Sequence, residues 1–165
     1  MTVLDCACGL DPCVGSDVVH VDLTRQWLGR LVHADVVCDA HYLPFRNGAF
    51  DIVFSSHTLE HCSSPLLVLS EFRRVADRLV LRVPNASFHR GGVNEDCGHI
   101  YAWTSQSLGQ LLKLVYSRVK VNGRIIRDWS RHSNIIVKQL VLVKTLLFVL
   151  LMWEPNDLEA ICSSI

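Results

Sequence analysis

The chain is predicted to fold as an α/β protein: a mostly parallel sheet of about seven strands, an antiparallel final strand and few helices near the N-terminus. Three observations predict this. Residues 3–22, VLDCACGLDPCVGSDVVHVD, set an apolar strand, a small-residue turn and a second strand ending in a carboxylate in quick succession. Residues 50–54, FDIVF, form a continuous apolar run after Asp51, as expected of a central strand covered on both faces. Residues 119–126 and 158–162 read as a late pair of antiparallel strands.

Composition limits what such a sheet can belong to. At 165 residues, 50% apolar and 19% charged, the chain is expected to be one globular domain over 1–165 rather than a disordered segment. Its seven cysteines show no framework spacing, and it opens on a strand without a basic and apolar leader, so free thiols and a cytoplasmic location are expected. The net charge is zero but unevenly spread. Residues 1–110 carry eight Arg and no Lys against twelve acids, a balance of −4, while residues 111–150 carry eight basic residues against Asp128 alone, a balance of +7. A solvated basic face is the ordinary explanation, and an anionic partner is the alternative.

Taken in order, Val3 and Leu4 supply the first strand. Asp5 ends it, and Ala7, Cys8 and Gly9 let the backbone pass close to a ligand. Val18 to Val21 make the second strand, and Asp22 stands at its tip, where two acceptor oxygens suit two ribose hydroxyls. A plain buried hairpin-like core would give the same pattern. The connection at residues 10–17 is too short for a crossover helix and is expected to be a tight loop. Residues 23–31 fit a short helix with Trp27 and Leu31 inward, and residues 34–37 a third strand leading to Asp39.

Residues 41–48, HYLPFRNG, are a turn-rich link. The strand at 50–54 then delivers Ser55, Ser56 and His57 to the carboxyl edge, where open α/β sheets bind ligands. Ser64 and Pro65 start a helix with Leu66, Leu69, Phe72, Arg73 and Ala76 at helical spacing, leaving Glu71, Arg74 and Asp77 on its exposed side. Residues 78–83, RLVLRV, are a fifth strand. Residues 85–100 are polar and irregular, a candidate lid, with Trp103 as a packed anchor. Thr104 caps a helix to about residue 115, with Leu108, Leu111, Leu112 and Val115 as its buried stripe.

These segments carry a resemblance. VLDCACG, the acid in VHVD, the acid in VVCDA, LPF, FDIVFSSHTLEH and RLVLRVPN, in this order over residues 2–110, resemble the successive motifs of class I S-adenosylmethionine-dependent methyltransferases of the type 11 kind, in their compact form. The resemblance implies the Rossmann-like fold of those enzymes and S-adenosylmethionine as cofactor. By position, Asp5, Cys6, Ala7, Cys8 and Gly9 would meet its methionine part, Asp22 with Leu23 the ribose, Asp39 with Ala40 the adenine, and Ser55, Ser56 and His57 the methyl-donor end. Ala7 and Asp11 depart from the family pattern, standing where glycine is usual.

A sulfonium is already an activated methyl donor, so the protein chiefly positions the reactants and deprotonates ionisable acceptors. His57 is the candidate base; the blander role is to hold the loop and place the cofactor. Glu60 and His61, opening the next helix, read as packing and capping residues. No Asn/Asp-Pro-Pro-aromatic sequence follows the strand, so an amino group on a nucleobase or glutamine is a disfavoured acceptor. Cys6, Cys8 and Cys13 lack a second pair, and His89, Cys97 and His99 are loosely spaced, so no metal is expected. The acceptor itself is not readable.

Residues 127–153 read as a helical insertion before the last strand. Its apolar part, 135–153, is about the length of a membrane span, but Lys144 within it argues against spanning. Such a helix is apolar almost all round and must be buried, which predicts self-association into a dimer; nucleic acid or an anionic membrane surface through 111–150 is the less favoured partner. The leading reading is thus a methyltransferase. A catalytically silent cofactor-binding scaffold, a subunit of something larger, is the rival.

Overall fold

The computed structural model of the chain describes residues 1–10, 12, 15, 17–27, 29–87, 98–124 and 157–164. The expected helical insertion at 127–153, Asp11, Cys13, His89 and Cys97 lie outside the described residues.

Seven strands form one sheet in the order β5-β2-β1-β6-β7-β9-β8. They are β1 (Val3–Cys6), β2 (Val18–Asp22), β5 (Val36–Val37), β6 (Ile52–Ser56), β7 (Arg78–Pro84), β8 (Arg118–Arg124) and β9 (Asp157–Ser163). β1 runs parallel to β2 and β6, β2 to β5, and β6 to β7. β9 slots antiparallel between β7 and β8, with Leu81 opposite Ala160 and Val121 opposite the same residue. The predicted pairing of the late strands therefore holds, and β9 also joins β7. The sheet is the mostly parallel, Rossmann-like α/β architecture that the sequence predicts.

Among the described residues two α-helices pack into the core against the sheet. α1 (Pro65–Val75) begins with proline in its first turn and buries Pro65, Val68, Leu69, Phe72 and Val75. The inward stripe is therefore rotated from the predicted one; Leu66 is exposed. Ser64 occupies the N-cap without a side-chain cap bond, and its amide instead donates to Nε2 of His41 at 3.2 Å. α2 (Ser105–Leu112) is capped as predicted by Thr104, in a reciprocal box with Ser107. Leu108 and Leu112 join Leu79, Leu81, Val83, Leu158 and Phe72 in a single core, each fully buried. Burial of each such side chain contributes about 1.5–3 kcal/mol.

The apolar run at 50–54 predicts cover on both faces of β6. Only one is fully buried among the described residues: Val53 and Ser55 are inward, while Ile52, Phe54 and Ser56 are half-buried. Arg82 supplies part of the second cover, its guanidinium 5.1 Å from the Phe54 ring centroid and paired with Glu159 at 2.9 Å.

Residues 23–31 are not a helix. β3 (Gln26–Trp27) and β4 (Arg30–Leu31) pair antiparallel, with Gly29 at φ +76° in the turn. The Thr24 hydroxyl accepts from the Gln26 amide and donates to its carbonyl, which ends helical progression before it starts. Leu31, expected inward, is exposed.

Glu71 and Arg74 are not solvent-facing either. They form a two-pronged ion pair, and Arg74 also donates to the Leu43 and Phe45 carbonyls while Glu71 accepts from the Leu43 amide. Together they clamp the 41–48 link onto α1, and their bonding to Arg74 holds the Glu71 carboxyl below the usual range.

Candidate active site

The tips of β1 and β6 are neighbours, since Cys6 lies opposite Ser55. Directly beyond each strand a non-glycine residue takes the left-handed conformation, Ala7 at φ +59° and His57 at φ +54°, and no other described non-glycine residue does. Such strain costs on the order of 1–3 kcal/mol and persists where the surroundings over-determine it, often at ligand clamps. It kinks both chains at the same point of the carboxyl edge.

The first kink is held by β2. Gly9, also left-handed at φ +54°, donates its amide to Oδ2 of Asp22 at 3.0 Å, and the Thr24 amide donates to Oδ1 at 3.2 Å. The Cys8 amide donates to the Val21 carbonyl at 3.1 Å. Residues 7–9 are thereby folded over the β2 tip with Asp22 at the centre. A carboxylate has about four lone-pair positions, so with two amides bound about two remain for further donors.

Asp39 repeats the arrangement beyond β5. Its Oδ1 accepts from the His41 amide at 2.8 Å and from the His41 ring at 2.6 Å. These bonds, the amide first, hold its carboxyl below the usual range. Because the Nε2 atom of His41 accepts from Ser64, its Nδ1 is the protonated nitrogen, and the ring links the β5 tip to the start of α1. Ala40 packs half-buried against the core, and Leu23 is exposed beside Asp22.

Asp5 is buried, with Oδ2 4.0 Å from Nε2 of His20, whose Nδ1 lies 3.2 Å from Asp35. It sits on the sheet beside His20, one strand position before the turn, rather than in the turn itself. Burial pushes the thiols of Cys6 and Cys8 up, that of Cys8 to about 11, so both are protonated at neutral pH and poor nucleophiles or metal ligands.

On the β6 side Ser55 is fully buried, so its side chain does not line an open site, and its hydroxyl has no hydrogen-bond partner among the described residues; Ser56 and His57 reach the surface. The His57 amide donates to the Arg82 carbonyl at 3.0 Å, and its half-exposed ring places Nδ1 3.4 Å from Oε1 of Glu60. Glu60, in the 3-10 turn Leu59–His61, is wholly buried. The structure thus brings Ala7, Cys8, Gly9, Asp22 and His57 to one edge and sets Asp39 beside it. Trp103 is buried as an anchor, stacked on Tyr101 at 5.4 Å. The amino-edge cleft among Asn47, Phe50, Arg73 and Arg78 lies at the other end of these strands.

The family described as a methyltransferase domain matches residues 4–78. A methyltransferase dependent on S-adenosylmethionine from Archaeoglobus fulgidus is 19% identical, with 99% of this chain and 86% of that one covered at a TM-score of 0.63. A putative methyltransferase solved with the Trm112 methyltransferase activator of Haloferax volcanii is 13% identical, covering 99% and 83% at 0.66. Phosphoethanolamine N-methyltransferase 2 of Haemonchus contortus, solved with S-adenosyl-L-methionine, is 15% identical, covering 99% and 49% at 0.60. No curated protein matches the sequence. The chain therefore has the class I methyltransferase fold, with the sequence signature of a methyltransferase domain in residues 4–78.

Proposed function

We propose that the protein is an S-adenosylmethionine-dependent methyltransferase that binds its cofactor across the tips of β1, β2 and β5 and its acceptor beside His57. The observation that carries this reading is Asp22, a strand-tip carboxylate fastened to the Gly9 turn yet left with acceptor positions for two hydroxyls. The donor set fits a nucleoside with vicinal hydroxyls. Asp39, half-exposed with Oδ1 taken by His41, offers its second oxygen to an exocyclic amino group.

Bound S-adenosylmethionine supplies a methyl group on a sulfonium centre, so the chain contributes mainly positioning. The left-handed turn at residues 7–9 presents backbone rather than side chain to the methionine part. His57, held at the edge by the hydrogen bond from its amide to the Arg82 carbonyl, takes a proton from an ionisable acceptor. The acceptor is a small molecule or a modest macromolecular target. Self-association through residues 135–153 belongs to the same proposal and rests on their apolar sequence. No described helix is long and apolar enough to cross a membrane. The described cysteines are free thiols, which supports the reading of a cytoplasmic enzyme.

Calorimetric titration with S-adenosylmethionine and with its demethylated product tests the assignment. Asp22→Ala is expected to weaken binding by about 1.5–3 kcal/mol, roughly tenfold to a hundredfold. Equal affinity in wild type, Asp22→Ala and Asp39→Ala, or no binding at saturating ligand, would reject it.

A further inference from the structure

We propose that Glu60, His61 and His99 form a binding site for a divalent transition-metal cation of the zinc class. One ligand atom from each of the three side chains lies within 4.8 Å of the others, and no other such grouping of three occurs among the described residues. Two imidazole nitrogens and one carboxylate oxygen are the donor set of open zinc sites, which leave further positions to water or substrate.

Four features show a built site rather than a chance cluster. Glu60 is fully buried and neither carboxylate oxygen has a hydrogen-bond partner among the described residues, although Nδ1 of His57 lies 3.4 Å from Oε1. An ionised carboxylate in that setting is costly, and a cation offsets the cost. Nδ1 of His61 lies 3.1 Å from the Gly98 carbonyl, which can only accept, so Nδ1 carries the proton and the Nε2 lone pair is left for a metal. Backbone carbonyls commonly orient metal-binding histidines in this way. The Glu60 carbonyl accepts from the amides of Ile100 at 2.7 Å and Tyr101 at 3.1 Å, which ties the strand-side turn to the segment bearing His99. The His61 and His99 rings meet edge to face, 4.8 Å between centroids.

His61 is exposed and His99 half-buried, so the site is open to solvent. It lies in the turn three residues beyond His57. If the methyl-transfer reading also holds, the cation stands beside the acceptor and favours one that offers an oxygen ligand.

Zn²⁺ titration of the metal-stripped chain under reducing conditions, repeated with Co²⁺ to read its absorption, tests the site. Wild type is expected to bind one equivalent, with no thiolate-to-cobalt charge-transfer band. His61→Ala and His99→Ala should each weaken binding by more than about tenfold while circular dichroism stays that of wild type. Glu60→Gln should weaken it too, and if that buried variant fails to fold, the exposed His61 carries the test. No stoichiometric uptake by wild type, affinity retained in both histidine variants, or a thiolate band would overturn the proposal. S-adenosylmethionine titration separates the two readings: cofactor binding should survive His61→Ala, and metal binding should survive Asp22→Ala.

Discussion

Asp22 and Glu60 are carboxylates on the same edge of one sheet, a strand apart, and they are in opposite states. Asp22 is half-buried and already holds two backbone amides, so it shapes the loop around it before any ligand arrives. Glu60 is wholly buried and both of its oxygens lack a hydrogen-bond partner among the described residues. The difference separates a half of the site that its own backbone has prebuilt from a half whose charge calls for something more. Residues of the first kind should mostly set affinity for the cofactor, and residues of the second kind should set chemistry and metal dependence.

The largest expected effect lies on the β6 side. If His57 removes a proton from the acceptor, His57→Asn should lower the transfer rate by about a hundredfold to ten-thousandfold, keep cofactor affinity and abolish the acidic limb of the rate-pH profile. A variant that keeps that limb would leave His57 a positioning residue only.

Next comes the clamp beneath the prebuilt half. Removal of Arg74 leaves Glu71 and the carbonyls of Leu43 and Phe45 without their donor, so Arg74→Ala should cost about 1–3 kcal/mol in chemical denaturation. An unchanged midpoint would show the clamp to be slack. Because the Glu71 and Asp39 carboxyls are both held below their ordinary values, the stability they contribute is present above the unfolded-state range and is lost as pH falls through the folded values. Thermal melts between neutral and strongly acid pH should show that loss in wild type and less of it in Glu71→Gln.

The smallest effect concerns the strained turn. Ala7 adopts φ +59°, a conformation glycine takes freely, so Ala7→Gly should stabilise the fold by about 1 kcal/mol or leave it unchanged. Destabilisation beyond that would mean that the Ala7 methyl packs to an extent that outweighs its strain.

How much of this could be read in the sequence depends on range. The strands of the seven-stranded sheet and the capped α2 are marked by local apolar patterns bounded by turn residues, and they are legible. Residues 23–31 misled because Trp27 and Leu31 stand four apart, the spacing of a helix face, whereas a threonine hydroxyl and Gly29 turn the chain into a hairpin. Glu71 and Arg74 form the same i, i+3 pattern whether they face water or a link some thirty positions earlier, so their clamp leaves no local mark. Asp22 was legible as a strand-tip acid. Glu60 was not, because LEH after a strand reads as the opening of a helix; the signal was the pair of histidines flanking it, His57 and His61, together with a third at position 99. Their proximity exists only once residues 98–101 dock on the Glu60 carbonyl.

The central claim is that the carboxyl edge, at the tips of β1, β2 and β5, receives S-adenosylmethionine. Amide hydrogen exchange with and without saturating S-adenosylmethionine tests it most directly, because it reports where the ligand sits as well as whether it binds. The account predicts slower exchange at residues 7–9, 22–24 and 39–41, with β8 and β9 unaffected. Protection confined to the amino-edge cleft around Asn47 and Arg78, or none anywhere, would contradict it.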